Sequence, residues 1–143
     1  MARRRSNTRR AIVLAAALSA VFAVAAPLAA GGASPMHIGD LDGVASKKAE
    51  WQAKITITVH DANDKPLSGV SVGGAWTDGA SGTAGCKTRR RGTCVVVSPS
   101  VAKGTPSITF GVMGATLPGY VYDAAGNHDP DGSSDGTQIT VTK

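Results

Sequence analysis

Residues 51–60 alternate with a period of two: Trp51, Ala53, Ile55, Ile57 and Val59 fall on one face, and Gln52, Lys54, Thr56, Thr58 and His60 on the other. Such a pattern buries one side of an extended chain and wets the other, so a half-buried antiparallel strand is predicted. Asp61-Ala62-Asn63-Asp64-Lys65-Pro66 then supplies turn formers. The alternation resumes with Val70, Val72, Gly74 and Trp76, and again around Ile108, Phe110 and Val112. Shorter extended stretches are expected at Tyr120-Val121-Tyr122 and near the end of the chain, where Ile139 and Val141 point inward. The segment 79–85 is rich in Gly, Ala and Ser and reads as a loop or an edge strand. One face of each strand has to be covered, and strands joined by turns cover each other best as two packed sheets. The expectation is therefore all-β: a single immunoglobulin-like antiparallel sandwich of about seven strands.

The amino terminus follows a different logic. Arg3, Arg4, Arg5, Arg9 and Arg10 are followed by an almost unbroken apolar run over residues 11–30. A positive segment feeding an apolar one predicts a signal peptide over residues 1–33, with cleavage after Ala30 or after Ala33. The alanine-rich run and Pro27 favour removal over retention as a membrane anchor. Thr8-Arg9-Arg10-Ala11-Ile12-Val13 also has the arrangement of a twin-arginine signal. Arginine-rich starts are general among secretory signals, so the ordinary secretory route is expected over it, with a secreted or cell-envelope destination.

Removing this segment changes the charge balance. Five of the fifteen basic residues lie in it, which leaves ten bases against ten acids. A generally basic, nucleic-acid-binding protein is not supported, and no membrane association is expected after cleavage. The remaining domain, residues 34–143, is large enough for one core and too small for two. Its two cysteines, Cys86 and Cys94, form an even set in an exported chain, so a disulfide is predicted. Closing so short a loop is worth roughly 2.5 kcal/mol, a sizeable share of the net stability of a small domain. The segment between them is expected to be a hairpin, its turn formed either by Arg89-Arg90-Arg91 or by a left-handed Gly92, with the register differing by one.

Aspartates cluster in two places beyond the first turn. Asp40 and Asp42 open the domain, and Asp129, Asp131 and Asp135 lie in Asn127-His128-Asp129-Pro130-Asp131-Gly132-Ser133-Ser134-Asp135-Gly136. Oxygen side chains at alternate positions with glycines between them can wrap a hard cation that wants six to eight oxygens, which makes calcium the candidate ion. An EF-hand is excluded, because the glycine falls at the fourth place and Thr140 stands where the bidentate glutamate would be. The same residue types also make ordinary turns. If the N-terminal loop that carries Asp40 and Asp42 and the loop before the last strand lie together, Asp40, Asp42, Asp129, Asp131 and Asp135 form the exposed binding end.

His37, His60 and His128 each lie near an aspartate and could gather into a zinc or copper site, although nothing in their spacing forces it. Arg89, Arg90 and Arg91 concentrate charge that a phosphate-rich or sulfated polymer could meet, but three adjacent turn residues cannot all face one partner. Trp51 and Trp76 are in phase with buried faces and are assigned to the core. Tyr120 and Tyr122 share a face and are the candidate aromatic contact surface if Val121 points inward. There is no Gly-x-Ser-x-Gly elbow, no His-Glu-x-x-His pair and no phosphate loop, so no catalytic residue is assigned and the chain is not expected to be an enzyme.

Four stretches carry a family resemblance: Met36-His37-Ile38-Gly39-Asp40-Leu41-Asp42-Gly43, Val59-His60-Asp61-Ala62-Asn63-Asp64-Lys65-Pro66, Cys86 to Cys94, and Asn127-His128-Asp129-Pro130-Asp131-Gly132. Together they resemble an immunoglobulin-like β-sandwich module of secreted bacterial proteins, often found C-terminal to exported proteases and other hydrolases. Its broader relatives are bacterial immunoglobulin-like and prealbumin-like domains. The resemblance implies a non-catalytic sandwich with Cys86 and Cys94 as a disulfide. Arg89-Arg90-Arg91 departs from the small polar turn usual in that family, and residues 1–143 are not expected to hold the enzyme partner that the resemblance implies. The functional expectations are a module that binds an extracellular or envelope glycan or protein, a purely structural spacer without a ligand, or a small histidine-based metalloprotein.

Overall fold

The computed structural model describes residues 31–46 and 50–143. The predicted signal peptide falls mainly on residues 1–30, outside the described residues. Eight strands follow in order: β1 (Ser34–Ala45), β2 (Ala53–Asp61), β3 (Ser71–Thr77), β4 (Thr83–Lys87), β5 (Thr93–Val97), β6 (Ser107–Thr116), β7 (Tyr120–Tyr122) and β8 (Gln138–Thr142). A single 3-10 turn, Ala124–Gly126, precedes the long loop into β8. Two four-stranded sheets, ordered β5-β2-β1-β7 and β4-β3-β6-β8, make the all-β sandwich.

The period-two segments behave as physical chemistry requires. Ala53, Ile55, Ile57 and Val59 of β2 are fully buried beneath the other sheet, together with Phe110 and Ile108 of β6. Trp51 and Trp76 are both core residues, and the Trp76 ring lies 4.8 Å from that of Phe110. Truncating Phe110 to alanine would cost about 3–5 kcal/mol, from lost burial and the cavity left behind.

Three features differ from the sequence expectation. The segment opening the domain is not a loop: it is β1, the longest strand, paired antiparallel with β2 and, at Ser34–Met36, parallel with β7. Alternation fails to reveal it because Met36, His37, Ile38 and Gly39 are all buried, β1 being covered on both sides at this point. Among the described residues, the pairing with β7 is the one parallel pair of strands, the others being antiparallel.

The second difference concerns the cysteines. β4 pairs with β3, and β5 pairs with β2, so residues 86–94 cross between sheets and do not form a hairpin. The Cys86–Cys94 disulfide consequently ties the two sheets together at one edge. Gly92 takes the left-handed backbone (φ 71°), and its N–H donates to the Arg89 carbonyl at 2.8 Å. Buried Thr88 completes the crossing, accepting from Val70 N (2.9 Å) and donating to the Leu67 carbonyl (2.7 Å).

Third, the register of β7 is settled. Val121 is 51 % exposed, whereas Tyr120 and Tyr122 are half-buried and pack against the core. The Tyr122 hydroxyl also accepts a hydrogen bond from Asn127 Nδ2 at 2.7 Å. An open aromatic pair is therefore not what this edge presents.

Candidate metal centres along the first strand

β7 ends too early to pair with β1 beyond Met36. The backbone of β1 would be left open there, and a loop takes the place of the missing strand. Ile38 N donates to Asn127 Oδ1 (2.8 Å), the Ile38 carbonyl accepts from His128 N (3.0 Å), and the Leu41 carbonyl accepts from Ser133 Oγ (3.0 Å). These bonds lay residues 127–133 along β1. They deliver His128 to the level of His37, and Asp131 to the level of Asp40 and Asp42.

The first cluster contains His37, His60, His128 and Asp64. His37 and His60 are direct cross-strand partners, so both rings project to the same face of the sheet. Ring centroids are 5.9 Å apart for His37 and His60, 5.0 Å for His37 and His128, and 6.1 Å for His60 and His128. Asp64 arrives from the β2–β3 turn with a left-handed backbone (φ 57°), uncommon for a residue other than glycine. That turn is held by Asp61 Oδ1, which accepts from Asn63 N (2.8 Å) and Lys65 N (3.1 Å). The same backbone bonds lower the Asp61 carboxyl below its ordinary range. One ligand atom from each of His37, His60, Asp64 and His128 lies within 4.8 Å of every other.

Two glycines make this crowding possible. The register of β1 against β2 slips between Ile38 and Asp40, and a side chain on the intervening Gly39 would overlap the His60 ring. Gly136 adopts φ 77° with its α-carbon so close to the His128 backbone that a Cβ would sit 2.7 Å from His128 N.

The polar atoms of this cluster are incompletely satisfied. His37 is only 8 % exposed, and its Nε2 makes no hydrogen bond. Asp64 Oδ1 comes within 3.2 Å of it, but without the alignment a hydrogen bond needs. His60 Nδ1 is likewise buried and without a partner. Leaving such a group unpaired costs about 1–3 kcal/mol, so two in contact are a sizeable deficit for a small domain. Burial first, and then the neighbouring His37, push the His60 pKa down, which favours neutral imidazole.

The second cluster is acidic. Asp40 and Asp42 of β1 meet Asp131 of the loop, with one carboxylate oxygen from each within 4.8 Å of the others. Burial and then the charges of Asp42, Asp129 and Asp131 raise the Asp40 carboxyl. Among the described residues no lysine or arginine forms an ion pair with this group. Asp129 is different: burial alone would raise it, but hydrogen bonds from Ser134 and Asp131 prevail and hold it at about 2. Its Oδ1 accepts from Asp131 N and Gly132 N, both at 3.2 Å. Asp135 caps the entry to β8, accepting from Thr137 N (2.8 Å) and Gln138 N (2.6 Å). Of the five aspartates expected at a binding end, three converge and two shape the loop that brings them together.

Arg89, Arg90 and Arg91 are exposed on the crossing between β4 and β5. Gly92 packs against Pro66, so the arginines occupy the same end of the sandwich as the β2–β3 turn that carries Asp64. A cleft lined by Cys86, Lys87, Thr88, Arg89, Thr93, Cys94 and Val95 opens beside them. The sequence singles out the three histidines as candidate ligands and places Asp64 with the turn after β2, not with them. Its signal was the four-residue step from His60 across a tight turn. Comparison of the chain with protein-family models, curated proteins and solved structures finds no match.

Proposed function

We propose that this chain is an exported, non-catalytic, immunoglobulin-like binding module that attaches to an extracellular or cell-envelope glycan or protein, with calcium ordering its binding end. The observation that carries this reading is the convergence of Asp40, Asp42 and Asp131 from segments far apart in sequence. Gathering carboxylates without a cationic partner opposes folding through their mutual repulsion, and a divalent ion with oxygen ligands reverses the sign of that interaction. The likeness of four stretches to the modules of secreted bacterial hydrolases supports a supporting or attaching role over catalysis. The Arg89-Arg90-Arg91 turn adds a cationic surface suited to an anionic polymer.

Thermal unfolding of the metal-stripped protein, titrated with calcium, tests the reading. A midpoint that climbs with calcium and falls back on chelation supports it, since an ion that binds only the folded state stabilises that state. A midpoint that does not move favours a second reading, a spacer domain without a ligand. The turn-capping roles of Asp61, Asp129 and Asp135 favour that alternative, because they account for three aspartates without any ion.

A further inference from the structure

The geometry points to a second metal site of different chemistry: we propose that His37, His60 and His128, with Asp64 as the fourth ligand, bind one zinc ion. This goes beyond the calcium reading, because its donors are three imidazole nitrogens and a single carboxylate, a set suited to a borderline transition metal.

Three observations carry it. Four ligand atoms from three separate segments lie within 4.8 Å of one another. A tetrahedral zinc site with bonds near 2.0–2.1 Å has ligand-to-ligand edges of roughly 3.3 Å. His37 Nε2 and Asp64 Oδ1 are already at 3.2 Å, so the rest need only draw inward. Next, two ring nitrogens of the cluster lack partners: His37 is 8 % exposed with Nε2 unpaired, and His60 Nδ1, packed against Gly39, is buried and unpaired. A zinc ion accepts the lone pairs of nitrogens for which the fold supplies no hydrogen-bond donor. Finally, His128 Nδ1 lies 3.2 Å from the Gly126 carbonyl. Donating there fixes the tautomer and leaves Nε2 free to ligate, as a second hydrogen bond does for many metal-bound histidines.

The ligands divide by role. His37 and His60 belong to the paired strands and are positioned by register, with Gly39 making room for the His60 ring. His128 comes from the loop laid on β1, and Asp64, whose side chain is 71 % exposed, comes from the turn and faces solvent. Zinc entering from solvent therefore reaches Asp64 first. Once bound, it fastens the β2–β3 turn and the loop before β8 to β1. With all four positions filled by protein, the site is of the closed, structural kind.

The test uses the chain purified with the disulfide intact, stripped of metal, and titrated with zinc against a chromophoric chelator. One zinc per chain is expected, with His128→Gln and His60→Gln each weakening binding by roughly a hundredfold or more. Lys103→Gln, exposed and outside both clusters, should leave zinc affinity unchanged. Cobalt(II) in place of zinc should give the intense visible bands of a tetrahedral ion, and these should be lost in His128→Gln. No zinc uptake by the native chain, uptake of copper alone, or zinc affinity indifferent to both histidine substitutions overturns the proposal. If a histidine variant fails to fold, Asp64→Asn on the exposed turn serves in its place, with a loss of at least about tenfold expected and an unchanged affinity overturning the assignment. The calcium reading fails separately: a protein that takes zinc but shows no calcium response keeps this site and loses the other.

Discussion

The two clusters share one strand and one loop, yet they are built on opposite principles. The histidine cluster is buried at His37 and opens to solvent at Asp64, two of its nitrogens have no hydrogen-bond partner, and His37 and His60 are fixed by strand register. The acidic cluster is open at Asp42 and Asp131, although Asp40 Oδ1 is also buried without a partner, and the aspartates around it are largely spent on capping turns. Burial makes an unpaired polar atom informative, because water cannot compensate for the missing partner. Exposure makes an aspartate uninformative, because water can. The same loop thus borders one site that lacks partners for two ring nitrogens and another that lacks charge balance and a partner for one carboxylate oxygen.

The largest expected effect separates the clusters by steric means. Gly39→Val would drive a branched side chain into the His60 ring at the β1 bulge, costing about 3 kcal/mol, the upper end for overpacking. Chemical denaturation measures that loss, and zinc uptake should disappear with it, whereas Asp40 and Asp42 retain their loop partners. A Gly39→Val protein as stable as the native one would show that the His60 ring is free to move aside, and the enclosed character of that cluster would be lost.

Asn127 joins the two regions, and its removal should affect both. Its Oδ1 accepts from Ile38 N, and its Nδ2 donates to the Tyr122 hydroxyl (2.7 Å) and Thr137 Oγ1 (3.2 Å). Asn127→Ala leaves a strand N–H without a partner, for about 2 kcal/mol of stability. Both the zinc and the calcium responses should weaken, because His128 and Asp131 are delivered by the same stretch. If only one response weakens, the loop is held at two independent points.

How much of this could be read from the sequence depends on how local the cause was. β2, β3 and β6 announce themselves, since each needs only one buried face, and Trp51 and Trp76 follow from phase alone. β1 does not, because the face opposite the core is covered at His37 and Gly39 by His60 and by Gly126 and His128, which lie far along the sequence. The crossing at Cys86–Cys94 looks locally like a hairpin, and only the pairing of β4 with β3 and β5 with β2 separates its arms. For the site, the residue types of both clusters were visible. Their grouping was not, because Asp64 joins the histidines through a turn, and Asp135 leaves the acids through a cap.

A smaller effect tests the charge imbalance of the open cluster. Asp40 is raised by burial and by three neighbouring carboxylates. A folded-state pKa above the unfolded value means stability that is complete below about 3.8 and is lost as the pH rises through the folded value. At neutral pH the ionised group therefore opposes folding. Asp40→Asn should raise the metal-free melting temperature slightly, by under about 1 kcal/mol in free energy because the cluster is partly solvated, and should abolish the gain from calcium. A variant less stable than the native protein without calcium would mean that Asp40 earns its place through contacts and not through an ion.

The smallest effect is the one that most directly opposes the two regions, and it is read from pH alone. The His60 pKa is lowered by burial and then by His37, with His128 adding to the shift and Asp64 and Asp61 working against it. When a folded-state pKa lies below the unfolded value of about 6.5, the unfolded chain binds the proton more readily. Stability is then complete above about 6.5 and falls as the pH drops from there toward the folded value. Asp40 runs the other way, favouring the fold at low pH. In metal-free protein, denaturation between pH 7.5 and 5 should show a shallow loss of stability that His60→Gln reduces, while Asp40→Asn leaves that slope in place. A slope that follows Asp40 instead of His60 would reverse the assignment, making the acidic cluster the enclosed one and the histidines the solvated pair of strand ends.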